Sequence, residues 1–183
     1  MILTSSDDEN KRANKSERQA TVKFLKVLFN TVYILSFIVV CAILISEFLL
    51  PVVRIYDDSM NSTLKKDDIV VLYKTKSINN GDLVAFYVGN KLLVKRCVAT
   101  DNDVVDIDVN GNVSINGEII NENYVSEKEY GNVQIDLPYR VENDSLFVLS
   151  DVRSDLNDSR NILIASINKE QILGKVLFKF SHK

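Results

Sequence analysis

The sequence predicts a mostly β protein: an antiparallel β-sheet domain with an inserted hairpin region, preceded by a single N-terminal transmembrane helix. Three observations support this fold class. An apolar segment without charges lies near the N-terminus, short apolar runs then alternate with turn residues, and no long helical period follows. With 183 residues, 46% of them hydrophobic, the chain can form one domain with a real core plus an appendage.

The first element is a membrane-spanning helix. The 20 positions between Lys26 and Glu47 carry no charge, and 20 residues at about 1.5 Å each can cross the roughly 30 Å hydrocarbon layer. A cleaved signal peptide is the alternative, but its apolar region is shorter, and no small-x-small cleavage site follows Glu47. We therefore expect a helix over 27–50, a basic cytoplasmic tail over 1–26 and an extracytoplasmic β-rich domain over 51–183.

The distribution of charge gives the orientation in the cell membrane. Six bases precede the helix, whereas the first base after it is Arg54; the six are Lys11, Arg12, Lys15, Arg18, Lys23 and Lys26. The basic end should stay in the cytoplasm, which makes the protein a single-pass membrane protein with the lipid bilayer as a partner. Beyond Lys26 the chain has 16 bases and 21 acids, and this acidic balance argues against nucleic acid as a partner.

The exterior domain is predicted to consist of short strands. They are expected at 68–74, 82–88, 91–99, 103–109, 112–120, 145–150 and 175–180. Asn-Gly pairs, which favour the positive φ of hairpin turns, occur at 80–81, 110–111 and 116–117. The acid-rich segment 101–144 contains two of these pairs, so we expect it to be the inserted hairpin region. A short helix is predicted near 168–172.

Several kinds of site are not expected from the sequence. Cys41 and Cys97 lie far apart, and neither has the Cys or His neighbours of a metal site, so we predict no disulfide, no metal and no cofactor. His182 is the only histidine and lies next to the C-terminus, where a Ser-His-Asp triad would be poorly ordered. Any serine nucleophile therefore needs another base.

Two short stretches carry residues suited to serine chemistry. Ser59 lies in DDSMNSTL, and by itself it is either a nucleophile or one more hydroxyl in a polar turn. Lys95 and Arg96 lie in the apolar run LLVKRCVA, where desolvation would favour a neutral lysine able to act as a base. Strand alternation puts the two cations on opposite faces, so that one faces the site and the other remains in solvent. A fully solvated pair on an edge strand is the alternative.

These motifs occur in a particular order along the chain. Ser59-Met60 follows the membrane helix, and Lys95-Arg96 comes 36 residues after the serine; GDLVAF at 81–86, NGEII at 116–120 and SDVRSDLNDSR at 150–160 complete the set. In this order and spacing the chain resembles the bacterial type I signal peptidases. The resemblance implies a β-rich domain at the outer membrane surface, with Ser59 as nucleophile and Lys95 as general base. It also implies a structural group near the site, made of Asp151, Arg153, Asp158, Ser159 and Arg160.

The resemblance further implies a substrate. It would be a secretory preprotein with small side chains at the first and third positions before the cut, bound by strand addition in shallow apolar pockets. The candidate substrate-binding residues are Asp57, Asp58, Met60, Leu83, Ala85 and Phe86. The Ser59 amide N–H would be one oxyanion donor.

The chain departs from the family pattern at several positions. Asp57 stands where the family has Gly or Ser, Ser62 replaces a proline, and Leu156 replaces the serine expected to hold the lysine. If 53–59 is extended, Asp57 shares a face with Ser59 and opposes the developing oxyanion; the alternative is that Asp57 points into solvent or caps a turn. The departure at Leu156 favours an alternative function, an assembly factor that binds exported subunits such as pilins with little or no proteolysis. A self-cleaving SOS-type repressor shares the Ser/Lys pair, but here a membrane helix precedes the pair in place of a DNA-binding segment.

Overall fold

The computed structural model describes residues 4–181, in which the chain forms one α-helix, eleven strands and one 3₁₀ helix. By their internal contacts the residues divide into two compact units, Met1–Glu47 and Phe48–Lys183. The division falls a few residues before the boundary at 50 that the sequence predicts.

The first unit is a long helix, α1, which runs from Thr4 to Leu49. Within it, Thr21–Ile45 is apolar enough and long enough to cross a membrane, with a mean hydropathy of 2.5. The helix ends two residues before Pro51, which disfavours a helical conformation in the residue before it. It begins well before the predicted start at 27, because the tail over 4–26 is helical as well.

The second unit is built from two antiparallel sheets. The order in the seven-stranded sheet is β1-β2-β11-β3-β4-β9-β10, and in the four-stranded sheet it is β7-β6-β5-β8. The strand bounds are β1 Val52–Arg54, β2 Ile69–Tyr73, β3 Leu83–Val88, β4 Lys91–Thr100, β5 Val104–Ile107, β6 Val113–Ile115, β7 Glu118–Ile119, β8 Tyr139–Arg140, β9 Ser145–Leu149, β10 Ile167–Asn168 and β11 Ile172–Phe180. The mostly antiparallel β fold with one N-terminal apolar helix is confirmed.

The four-stranded sheet lies within 101–144, the segment predicted to be an insertion. The expected strand at 112–120 is in fact a hairpin, because Asn116 and Gly117 both have positive φ, 54° and 87°. The apolar side chains of the four-stranded sheet pack against β9 in one cluster of the core, where Val105 and Val113 meet Phe147. The short helix predicted near 168–172 is the 3₁₀ helix Lys169–Gln171.

Candidate active site

Strand β4, an interior strand of the large sheet, carries Lys95. It pairs with β3 from Lys91 to Arg96, while its pairing with β9 on the other edge begins only at Arg96. Residues 94–99 are all buried, and Lys95 has an exposed fraction of 0%. The lysine is therefore desolvated, as its apolar neighbours in the sequence predict.

The Lys95 ammonium donates a hydrogen bond of 2.6 Å to Asp155 Oδ2. The same oxygen accepts 2.8 Å from Ser150 Oγ, and Asp155 Oδ1 accepts 2.7 Å from Asn157 Nδ2. Partial burial by itself raises the pKa of the Asp155 carboxyl. The hydrogen bond and the positive charge of Lys95, together with the hydrogen bonds from Ser150 and Asn157, lower the pKa by more, so that it lies below its ordinary value of 3.8. Asp155 is therefore an ionised partner for the lysine at neutral pH.

Arg96 is also buried, with only 9% exposed, so the prediction that one cation of the pair remains in solvent is wrong. Its guanidinium forms two hydrogen bonds to the Asp151 carboxylate, at 2.8 and 2.6 Å, and one of 2.8 Å to Thr63. The Tyr124 ring lies 3.9 Å from the guanidinium carbon. Strand alternation fails as a guide here because both faces of β4 are covered.

Ser59 lies in a turn after β1 and is 6% exposed. Its hydroxyl donates 2.5 Å to Asp57 Oδ1, and its backbone N–H donates 3.0 Å to the same oxygen. The strand ends at Arg54, so a turn, and not the alternation of an extended strand, brings the Asp57 carboxylate to the serine. Asp57 thus accepts hydrogen bonds from the Ser59 hydroxyl and from the Ser59 backbone N–H, and the reaction would need both groups.

The loop after β9 connects the serine to the lysine. Val152 N–H donates 2.9 Å to the Ser59 carbonyl, and Asp151 N–H contacts the Met60 sulfur at 3.4 Å. Three residues beyond Val152, Asp155 binds Lys95. One short loop thus holds both candidate catalytic residues, although the structure records no direct hydrogen bond between them in the described residues.

The residues expected to support the site are all buried, namely Asp151, Arg153, Asp158, Ser159 and Arg160. Two guanidinium groups fix the loop: Arg160 binds Asp158 at 2.8 Å, and Arg153 binds Glu122 of the insertion. The Ser159 hydroxyl accepts 2.9 Å from Val148 N–H of β9. Such paired buried charges hold a loop in one conformation, because removing either partner leaves an uncompensated charge.

The predicted substrate-binding residues form no common exposed surface, although Leu83 packs against the cluster that contains Met60 and Ala85. Met60 and Ala85 are fully buried in one apolar cluster, and Phe86 in another. They present no surface to a peptide in this structure. Asp57 and Asp58 are exposed and Leu83 is half-buried.

A groove beside the serine has different walls. It has a volume of about 370 Å³ and is lined by Tyr56, Asp57, Lys91, Leu92, Leu93 and Asn157. A smaller cavity of about 30 Å³ adjoins Asp57, Leu92 and Val94. Sequence reasoning named Asp57 but missed the other lining residues, although the apolar LLV immediately before Lys95 was a usable signal.

The cysteines are free thiols in the described part of the chain, and Cys97 is buried in β4. Burial, with smaller contributions from Asp82 and Asp103, raises the pKa of the Cys97 thiol to about 12. Among the described residues no group of histidine, cysteine and carboxylate side chains could hold a metal ion. His182 lies outside the described residues.

A buried lysine and a buried serine, both held by one loop in a chain that also has an N-terminal apolar helix, are features of a membrane-anchored serine peptidase. The profile of the signal peptidase family, peptidase S26, matches residues 28–181. Signal peptidase I of Bacillus amyloliquefaciens is 32% identical over 177 residues, covering 91% of this chain and 94% of the relative. Signal peptidase I of Bacillus licheniformis is 32% identical over 166 residues, covering 84% and 88%.

The chain therefore belongs to the signal peptidase family, peptidase S26. The resemblance, the serine peptidase class and signal peptide removal as the expected activity are confirmed, and the assembly-factor alternative is not favoured. A crystal structure of a signal peptidase I from Enterococcus faecalis V583 aligns with a TM-score of 0.46 and 23% identity, covering 56% of this chain and 97% of that one.

Proposed function

We propose that this membrane-anchored peptidase removes signal peptides from exported preproteins with Ser59 as nucleophile and Lys95 as general base. The observation that supports this most is the loop after β9, which contacts the serine through Val152 and the lysine through Asp155. A lysine excluded from water can act as a base once it is neutral, and a serine needs such a base to attack a peptide carbonyl.

The proposed reaction requires Asp57 to give up its contacts. Ser59 must turn its hydroxyl from Asp57 toward Lys95, and the amine then takes the proton as the Ser59 oxygen bonds to the carbonyl carbon. The oxyanion would be stabilised by the Ser59 backbone N–H, which Asp57 occupies at 3.0 Å. The substrate carbonyl oxygen would replace the carboxylate oxygen at this donor.

The proposed substrate path runs along the first half of β4. Residues 91–95 pair with β3 alone, so their other edge is open to an added peptide strand. Alternate side chains of such a strand would enter the small cavity beside Leu92 and Val94. Its volume of about 30 Å³ fits small side chains, which agrees with a requirement for small residues before the cut.

The proposed orientation follows from the bases of the tail. Residues 1–26 carry a net charge of +2, with six bases, and would remain in the cytoplasm while the β unit lies outside. In this arrangement the lipid bilayer surrounds the apolar helix and the site meets preproteins as they leave the membrane.

Cleavage assays of single variants test the proposed pair. With the full-length chain in detergent and a preprotein ending its signal in Ala-x-Ala, Ser59→Ala and Lys95→Arg should each lower kcat/KM by more than about a thousandfold. Lys95→Arg keeps the charge but cannot serve as a base near neutral pH. Lys66→Arg and Ser126→Ala, at exposed positions, are the matched controls. Substantial cleavage by Lys95→Arg would show that the lysine is not the base.

A further inference from the structure

Asp155 has no role in the motifs by which the sequence resembles its family. The position at which the family holds the lysine with a serine is Leu156 here, which cannot form a side-chain hydrogen bond. A fully buried ammonium nevertheless requires a partner, because an unpaired buried charge is very costly. In this chain the partner is the preceding residue, whose carboxylate oxygen lies 2.6 Å from Lys95 Nζ.

The Asp155 carboxylate is fixed from both of its oxygens. Ser150, which is fully buried, donates 2.8 Å to Oδ2, and Asn157 donates 2.7 Å to Oδ1. The carbonyl of Asp155 also accepts 2.6 Å from Arg160, whose guanidinium is buried. Both the side chain and the backbone of Asp155 are therefore held in place around the amine, as orientation of a reacting group demands.

Lys91 and Asp58 are exposed charged groups near Lys95, and the other charged groups on the elements around it have their own partners in the described residues. They are Arg96 with Asp151, Arg160 with Asp158, Arg153 with Glu122, and Asp57 with the Ser59 hydroxyl. Asp155 is thus the carboxylate that contacts Lys95 directly in the described residues. A carboxylate, unlike a serine hydroxyl, adds a negative charge, and a negative charge at this distance favours the charged form of an amine.

We propose that Asp155 is the positioning residue for Lys95: its carboxylate holds the amine in the site through the 2.6 Å contact and places a negative charge beside it. The inference rests on the proposed function, in which Lys95 is the base. The reaction starts from the neutral amine while Asp155 stays ionised; this amine accepts the Ser59 proton as the new Oγ–C bond forms, and passes it to the leaving nitrogen as the peptide bond breaks. Water then attacks the acyl carbon, its proton passes through the amine to Ser59 Oγ as the Oγ–C bond breaks, and the amine is neutral again for the next turnover.

The test is the pH dependence of kcat/KM, measured on the full-length chain in detergent from about pH 6 to about pH 10. Asp155→Asn keeps an oxygen that can accept from the lysine but removes the charge. The rising limb of the pH–rate profile of this variant should move to lower pH by at least about one unit, because the variant loses an opposite charge within hydrogen-bond distance of the lysine. Asp155→Glu retains the charge and should keep the limb near that of the wild type. Glu118→Gln, which removes one exposed charge from the edge strand β7, should leave it in place.

Particular outcomes would overturn the inference. An unchanged limb in Asp155→Asn, with a melting transition like that of the wild type, would make the carboxylate a structural group only. Should that variant not melt cooperatively, Asp155→Ser carries the same expectation, and an unchanged limb in that variant would overturn the inference. If the proposed function itself were wrong, the result would differ, because the Lys95→Arg variant would still cleave the preprotein.

Discussion

At the scale of single residues, each member of the proposed pair contacts a carboxylate. The Ser59 hydroxyl donates to Asp57 and the Lys95 ammonium donates to Asp155. The two contacts have different consequences, because Asp155 can keep the lysine in place during the reaction, whereas Asp57 occupies the serine's hydroxyl and amide together. In the proposed reaction, catalysis would therefore begin with the loss of the Asp57 contacts.

Removing the Asp57 carboxylate should make the enzyme faster. Hydrogen bonds to charged groups contribute about 1.5 to 3 kcal/mol, so freeing Ser59 from Asp57 is expected to raise kcat/KM near neutral pH by roughly ten- to a hundredfold. The measurement is the cleavage rate of Asp57→Gly on one preprotein. Asp144→Gly is the matched control, because Asp144 is exposed and has a positive φ of 53° that glycine adopts readily. A rate in Asp57→Gly no higher than that of the wild type would mean that substrate binding displaces this carboxylate at no cost.

The two carboxylates also show what the sequence could and could not predict about the site. Ser59 and Lys95 were recognisable by motif, and Asp57 by its distance of two residues from the serine. The contact of Asp155 with Lys95 joins residues 60 positions apart and depends on the path of a loop, which no local pattern specifies. The burial of Arg96 was missed for a similar reason, because the residues that cover it come from distant parts of the chain.

At the scale of elements, β4 combines two environments in one strand. Its second half pairs with β9 from Arg96 to Thr100, while its first half pairs with β3 alone and has one open edge beside the groove. Period-two apolar runs and turn residues predict most strands of this fold, because each needs only local sequence. The very short strands β8 and β10, with two residues each, escaped prediction since pairing with neighbours defines them.

The cavity beside β4 provides a prediction about specificity. Val94→Ala should enlarge it, so the preference for alanine over valine before the cut should fall by about tenfold, as expected for one or two methyl groups in an apolar pocket. The measurement is the ratio of kcat/KM for two substrates that differ at that position. Val98→Ala is the control, since Val98 lies on the same strand but is buried in a different apolar cluster. Both variants should lose about 1 to 2 kcal/mol of unfolding free energy, but only Val94→Ala should alter the ratio. If the two variants gave the same ratio of kcat/KM for the two substrates, Val94 would not form part of the pocket wall.

At the scale of the whole molecule, charge and hydropathy divide the chain in the same way. The tail has a net charge of +2 and the remainder −5, with the apolar segment Thr21–Ile45 overlapping the end of the tail. An acidic exterior unit is unsuited to anionic polymers, and the basic residues are concentrated where the positive-inside rule acts. The site can therefore meet only substrates that have crossed the membrane, if the orientation is as proposed.

Protease protection in intact protoplasts tests that orientation. Protease added from outside should digest the β unit beyond Val53 and leave a tag at the N-terminus intact, because the six bases of the tail hold it in the cytoplasm. Replacing those six bases by glutamine should reduce the protected fraction, since the orientation then loses its main determinant. Lysed protoplasts are the control for accessibility of the tag. A digested tag with a protected β unit would place Ser59 on the cytoplasmic side, where it would not meet exported preproteins after translocation.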